Sequence, residues 1–137
     1  MIIPLLDPET FLMVRQYRYL HRQFSIEFPG GGRPEHLSSA EAAALELRGE
    51  TGYTAHTLKL LGSFNPCNGV IEELCSVFVA RELQPDDSIQ PDDTETFEVL
   101  TVRLNQFRHL VATGEIWDGM TLAAYTLWTI TDQTGQQ

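Results

Sequence analysis

Cysteine is scarce in this chain: its 137 residues hold two, Cys67 and Cys75. Two thiols build no disulfide framework, and their spacing fits no zinc motif. Both are expected to be reduced, with Cys75 packed in a strand and Cys67 in a turn-rich loop. Positive charge is scarce as well. Nine Lys and Arg stand against 19 Asp and Glu, for a net charge of −10. A nucleic-acid backbone is neutralised by clustered cations, so a nucleic acid polymer is not expected as a partner. No apolar run approaches the ~18 residues of a membrane span. The opening MIIPLLDPET has neither a basic leader nor a small-residue cleavage site, so it reads as a strand and a turn. No membrane partner is expected, and cytoplasmic is the default location. Repeats and low-complexity tracts are absent. The four histidines, His21, His36, His56 and His109, show no ligand spacing and read as surface or packing residues.

What is present suits one domain, residues 1–137, with one core. Hydrophobic residues make up 42% of the chain, as in ordinary globular proteins. Ile2 to Leu6 and Thr10 to Arg15 read as strands joined by an Asp-Pro turn, and Ser25 to Phe28 as a short extended piece. Thr57 to Phe64, Leu74 to Glu82 and Phe97 to Leu104 read as further strands. The LCSVFVARE run has the β-branched and aromatic content of a buried strand. Asn105 to Thr113 and Gly119 to Ile130 read as helices, the latter with Met120, Ala123, Ala124, Leu127 and Trp128 at helical spacing. Strands first, a helix in the middle and helices at the end indicate an α+β fold, a mixed sheet with helices on its faces.

The segment from Phe28 to Tyr53, FPGGGRPEHLSSAEAAALELRGETGY, carries the chemistry. Ser38 to Glu41 fits a capping box, and Gly52 suits the left-handed residue that ends a helix. Inside that helix Glu46 and Glu50 are four apart, about 40° around the axis, so both carboxylates share a face. Two carboxylates beside a glycine turn suit a hard cation. Charge is uneven elsewhere. From Glu82 to Glu98 inclusive there are seven acids and no Lys or Arg, whereas Arg15, Arg18, Arg22 and Arg33 lie near the N-terminus. A basic wall facing a carboxylate site suits a phosphate bridged by metal; the plainer reading is a solvated acidic loop and scattered surface arginines. Tyr17, Tyr19 and Phe28 stand in short strands, where aromatics more often pack in a core than stack on a base. Trp128 reads as core; Trp117 reads as pocket lining or a subunit contact.

The segment resembles the Nudix box: G, five residues, E, seven residues, then R-E-U-x-E-E-x-G-U, with U aliphatic or aromatic. Anchored on Gly52, the pattern opens at Gly31 and is matched by Glu46, Leu47, Glu50 and Tyr53. It departs at Leu37 and Gly49, where the family has Glu, and at Leu45, where it has Arg. Gln16 to Tyr19, Glu27 to Gly31, Asn65-Pro66 with Gly69 and Glu73, Asp93 to Glu95, and Gly114 to Ile116 with Asp118 resemble the ADP-ribose pyrophosphatase branch. These fragments run in order along nearly the whole chain. The branch's usual N-terminal subdomain, which precedes the first strand, has no counterpart in this sequence.

The resemblance implies an α/β/α sandwich with a mixed central sheet. It implies a Mg²⁺-dependent hydrolase, with Mn²⁺ as the alternative ion, that cleaves nucleoside diphosphates linked to another moiety. The small-molecule substrate is a nucleotide, ADP-ribose or a nucleotide sugar first. Glu46, Glu50 and the Gly30 carbonyl are the expected metal ligands. Glu50 and a later loop acid, Asp93 or Glu95, are the expected catalytic groups. Arg18, Arg33 and Glu73 are expected to meet substrate, although for Arg18 a strand-end arginine paired with surface acid fits equally well. A homodimer is implied too. Leu37 is expected to pack on Leu45, replacing the family's ionic clasp by an apolar one. Because Gly49 supplies no carboxylate, the alternative is a Nudix-fold protein that binds a nucleotide without turning it over.

Overall fold

Alternation along two central strands sets the architecture. In the computed structural model, Ile2 packs in one apolar cluster and Ile3 in another; Phe78 and Ala80 go with Ile2, and Val77 and Val79 with Ile3. Side chains of a strand point alternately to its two faces, so a strand buried on both sides needs cover on each. The structure describes residues 1–86, 88 and 98–131. Its strands are β1 (Ile2–Asp7), β2 (Thr10–Arg18), β3 (Gln23–Glu27), β4 (Tyr53–Phe64), β5 (Cys75–Pro85) and β6 (Glu98–Arg103). Its helices are α1 (Ser39–Thr51), α2 (Leu104–Ala112) and α3 (Gly119–Thr131). The sheet order is β3-β2-β1-β5-β4, with β6 also on β2. β1 and β5 run parallel and the other pairs antiparallel, so the sheet is mixed.

α1 covers one face, burying Ala43 and Leu47 against Ile2, Phe78 and Ala80. On the other face Phe107 of α2 and Ala124 and Trp128 of α3 close over Phe11, Met13, Val77 and Val79. Phe11 is the hub of that side: Phe28, Phe107 and Trp128 meet its ring edge-on at centroid separations of 5.1–5.4 Å. The two covered faces make the expected sandwich. Trp128 and Phe28 are core, as read from sequence, with 2% and 1% of their surface exposed. Tyr17 and Tyr19 are not: they are 54% and 76% exposed. On the β2–β3 hairpin Tyr17 packs edge-on against Phe24 across the strands, at 5.4 Å between ring centroids, with its outer side in solvent. The strands are also longer than expected, β2 reaching Arg18 and β4 starting at Tyr53 directly after the helix.

α1 begins and ends on local chemistry. Ser38 Oγ accepts the Glu41 N–H at 3.2 Å, and the Glu41 carboxylate accepts the Ser38 N–H at 2.8 Å. At the other end Gly52 takes φ 72°, a left-handed conformation that glycine adopts without penalty, and its N–H bonds the Arg48 carbonyl. Among the described residues no helix is long and apolar enough to cross a membrane.

Candidate functional site

Two consecutive glycines bring the carboxylates of α1 to the loop that follows β3. The Gly30 N–H donates to Glu50 Oε2 at 3.1 Å. Gly31 lies so close to Glu46 that a Cβ there would sit 2.7 Å from Glu46 Oε2 and closer still to Oε1. Gly30 itself runs against the Met1 backbone, where a Cβ would come within 2.9 Å of Met1 Cα. Glycine is required at position 30, against backbone, and at position 31 it leaves room for the Glu46 carboxylate, so one turn meets both expected metal carboxylates.

The cleft beside this turn has a volume of about 490 Å³. Glu46, Gly30, Arg18, Arg33 and Glu73, all expected at the site, line it together with Glu27 and Asp118. Glu50 reaches the cleft's rim through its bond to Gly30. Arg33 also donates to the Leu37 carbonyl at 2.9 Å, bracing the loop that leads into α1. Glu73 sits on the β4–β5 loop, where Asn65 Nδ2 holds its carbonyl at 2.7 Å. Asp93 and Glu95 lie outside the described residues.

Sequence reasoning did not assign a role to Glu27 or Asp118. Glu27 is buried, 4% exposed, and its carboxylate is gripped by Arg18: Nε meets Oε1 at 2.8 Å and Nη2 bonds Oε2. The hydrogen bonds to Glu27 raise the Arg18 pKa above its already high value, so the guanidinium is permanently cationic. The signal for this pair lay in the hairpin register. Val14 faces Glu27, Gln16 faces Ser25 and Arg18 faces Gln23, so Arg18 and Glu27 share a sheet face. Asp118 Oδ2 accepts the Thr121 N–H at 2.8 Å at the start of α3, which is an N-cap turned toward the cleft. Cys75 also lines the cleft, but burial pushes its thiol pKa up, away from a reactive thiolate.

The donor set suits a hard cation. Glu46 and Glu50 offer oxygen, the Gly30–Gly31 backbone is within reach, and Mg²⁺ binds through one or two carboxylates plus water and phosphate. Among the described residues no three His, Cys, Asp or Glu converge as a metal-binding group. The rest of a cation's shell would come from backbone, water and substrate.

Leu37 and Leu45, expected to form an apolar clasp, line the same cavity. Leu45 is 54% exposed and Leu37 half-buried. The cavity has a volume of about 510 Å³, lies on the far side of α1 and is also lined by Leu47, Ala55 and Leu58. This groove holds none of the site's chemistry. Trp117, read from sequence as pocket lining or a subunit contact, donates its Nε1–H to the Phe24 carbonyl at 3.2 Å and packs its ring on His21 at 4.9 Å.

The sequence matches the family model described as NUDIX domain over residues 1–124. It is 31% identical over 124 residues to an ADP-ribose pyrophosphatase of Bacillus subtilis (strain 168), covering 90% of this chain and 67% of that protein. Over the same shares it is 25% identical to a methanol dehydrogenase activator of Bacillus methanolicus. A crystal structure of an ADP compounds hydrolase superposes with a TM-score of 0.87 at 24% identity, covering 99% of this chain and 72% of that one. At that identity the likeness speaks for the fold.

Proposed function

This chain belongs to the NUDIX domain family, and on that premise we propose that it is a divalent-metal-dependent hydrolase. Its substrate is a nucleoside diphosphate derivative, ADP-ribose or a nucleotide sugar first, cleaved at the pyrophosphate. The observation that carries this reading is the Gly30–Gly31 turn, which gathers Glu46 and Glu50 at a cleft that also displays Arg18. The ADP-ribose pyrophosphatase of B. subtilis supports the substrate class.

Phosphoanhydride cleavage needs charge neutralisation and a positioned water more than covalent chemistry from the protein. A bound cation, Mg²⁺ first, supplies Lewis acidity and an activated water. Glu46, Glu50 and the Gly30 carbonyl would hold it. Arg18 offers the outer N–H groups of its guanidinium to a phosphate, and Arg33 and Glu73 frame the same cleft. The acid that accepts the water's proton is Glu50 or one of Asp93 and Glu95.

A second reading is a nucleotide-binding regulator. Gly49 favours it, because the family's third box carboxylate is missing there, and one relative is named for activating another enzyme. The discriminating measurement is product release from a panel of nucleoside diphosphate compounds with Mg²⁺, with Mn²⁺ and with chelator. Metal-dependent release of a nucleoside monophosphate, lost in Glu50→Gln, is the expected result. Saturable binding without product would favour the regulator, and neither binding nor product would end both readings.

A further inference from the structure

The turn that brings Gly30 and Gly31 to the α1 carboxylates does not set its own shape. Residues 30 to 32 are all glycine, the residue with the widest choice of backbone conformation. Its shape is imposed from outside, at three consecutive residues and by three different elements. The Phe28 N–H donates to Thr121 Oγ1 of α3 at 3.2 Å. The Pro29 carbonyl accepts the Ile2 N–H of β1 at 2.8 Å. The Gly30 N–H donates to Glu50 of α1 at 3.1 Å. The first of these pins is the deepest, because Phe28 and Thr121 are both buried. Thr121 is itself held in place: its N–H bonds Asp118 Oδ2 at 2.8 Å, and Ala124 and Trp128 seat the same helix in the core. Its side chain does not line the cleft, so it acts on the site only through Phe28.

We propose that Thr121 is a positioning residue for the cation site: its buried hydroxyl holds the Phe28 N–H and so sets the glycine turn whose Gly30 meets Glu50 and a divalent cation. The proposal rests on reading Glu46, Glu50 and the Gly30 carbonyl as cation ligands. Without the hydroxyl, the Phe28 N–H is left buried without its acceptor, which is costly enough for the backbone to turn toward another partner. The peptide two residues on is glycine, which offers little resistance to that turn. Gly30 then shifts against Glu50, and its carbonyl loses its aim at the cation. A group that supports a ligand without touching the metal governs affinity in this way at metal sites generally.

The test is direct Mn²⁺ binding, by the loss of free-ion spin-resonance signal, to wild type, Thr121→Val, Thr121→Ser and Ala124→Gly. Valine keeps the shape of threonine and removes the acceptor, so Thr121→Val is expected to bind Mn²⁺ about tenfold more weakly, the low end of the cost of losing a ligand's support. Serine keeps the hydroxyl, and Thr121→Ser is expected to bind like wild type. Ala124→Gly loosens the same helix one turn on and leaves the Phe28 bond alone. It is expected to melt earlier and to bind Mn²⁺ like wild type. Should Thr121→Val not fold, Thr121→Cys carries the test: sulfur is a weak acceptor, and affinity between those of serine and valine is not needed, only a value clearly below wild type. Unchanged binding in the variant that lacks the hydroxyl overturns the proposal. So does failure of serine to restore binding, or equal weakening in Ala124→Gly, which would mark Thr121 as merely structural. Absence of Mn²⁺ binding by wild type would sink the cation site itself and the proposal with it, a failure distinct from the others.

Discussion

The Glu50 carboxylate accepts the Gly30 N–H at 3.1 Å, joining the loop after β3 to the last turn of α1 across twenty residues of sequence. A glutamine at position 50 keeps an oxygen for that bond and loses the charge. Glu50→Gln is therefore expected to melt like wild type. Its metal-dependent turnover is expected to fall by about 10²-fold or more, the scale for losing a positioned catalytic group. Thermal unfolding and a product assay on the same preparation check both halves. Equal activity in the two proteins would remove Glu50 from the mechanism.

Gly31 makes the complementary prediction. A Cβ added there collides with the end of the Glu46 side chain, which can swing aside. Gly31→Ala is expected to cost little stability, within about 0.5 kcal/mol for a substitution relieved by one flexible side chain. The displaced Glu46 no longer faces Glu50, so Mn²⁺ affinity is expected to drop. A fall in stability with metal binding intact would mean that the turn, and not Glu46, yields.

The parts of this molecule written in local chemistry were legible in its sequence. The Ser38–Glu41 box and Gly52 bracket α1 because each acts on backbone groups within four residues. The mixed sheet followed from strand alternation and element order. Contacts set by tertiary placement were not legible. Whether Tyr17 and Tyr19 are buried depends on which elements cover the β2–β3 hairpin, which no period reveals. The Arg18–Glu27 pair depends on a register set by the turn at Arg22, where φ is 55°. Leu37 and Leu45 were read as apolar partners, and they line one groove whose other wall, Ala55 and Leu58 of β4, is placed by tertiary structure. Asp93 and Glu95 fall outside the described residues, so the resemblance alone speaks for them.

Two leucines of α1 line that groove and differ in burial. Leu47 is 1% exposed in the cluster beneath α1, and Leu45 is 54% exposed above it. Leu47→Ala leaves a core cavity and is expected to cost about 2–5 kcal/mol. Leu45→Ala removes a side chain already mostly in water and is expected to cost under about 1 kcal/mol. Denaturant midpoints of the two variants decide the matter. Similar costs would mean that Leu45 is packed in solution and the apolar clasp closed.

The capping box gives a pH dependence. The Glu41 carboxyl is held below its usual pKa, first by the Ser38 hydroxyl and then by the Ser38 backbone N–H. A depressed carboxyl contributes stability that is fully present above its unfolded pKa and lost as pH falls through the folded one. Near neutrality Ser38→Ala is expected to be less stable than wild type by about 1 kcal/mol. As pH drops below the ordinary glutamate range, that difference is expected to narrow, because wild type loses the Ser38 hydroxyl's bond to the charged Glu41 carboxylate. Melting curves of the pair across acid pH test this. A gap that holds constant would show that the Glu41 charge adds nothing to the cap.

Gly49 is the position where the box has lost a carboxylate, and it is open. A Cβ there would meet nothing within 4 Å, and the residue is not among those with positive φ. Gly49→Ala is therefore expected to stabilise the protein by about 1 kcal/mol, the helix-propensity difference. Gly49→Glu recovers most of that gain and places a third carboxylate one residue from Glu50 and three from Glu46. If the missing carboxylate limits this site, Gly49→Glu binds Mn²⁺ more tightly and turns over nucleoside diphosphate substrate faster than Gly49→Ala. The alanine variant is the control, since it shares the change in helix stability without the charge. Two variants equal in Mn²⁺ affinity and rate would mean that the site works without a group at position 49, and the regulator reading would lose its main support if that rate were already high.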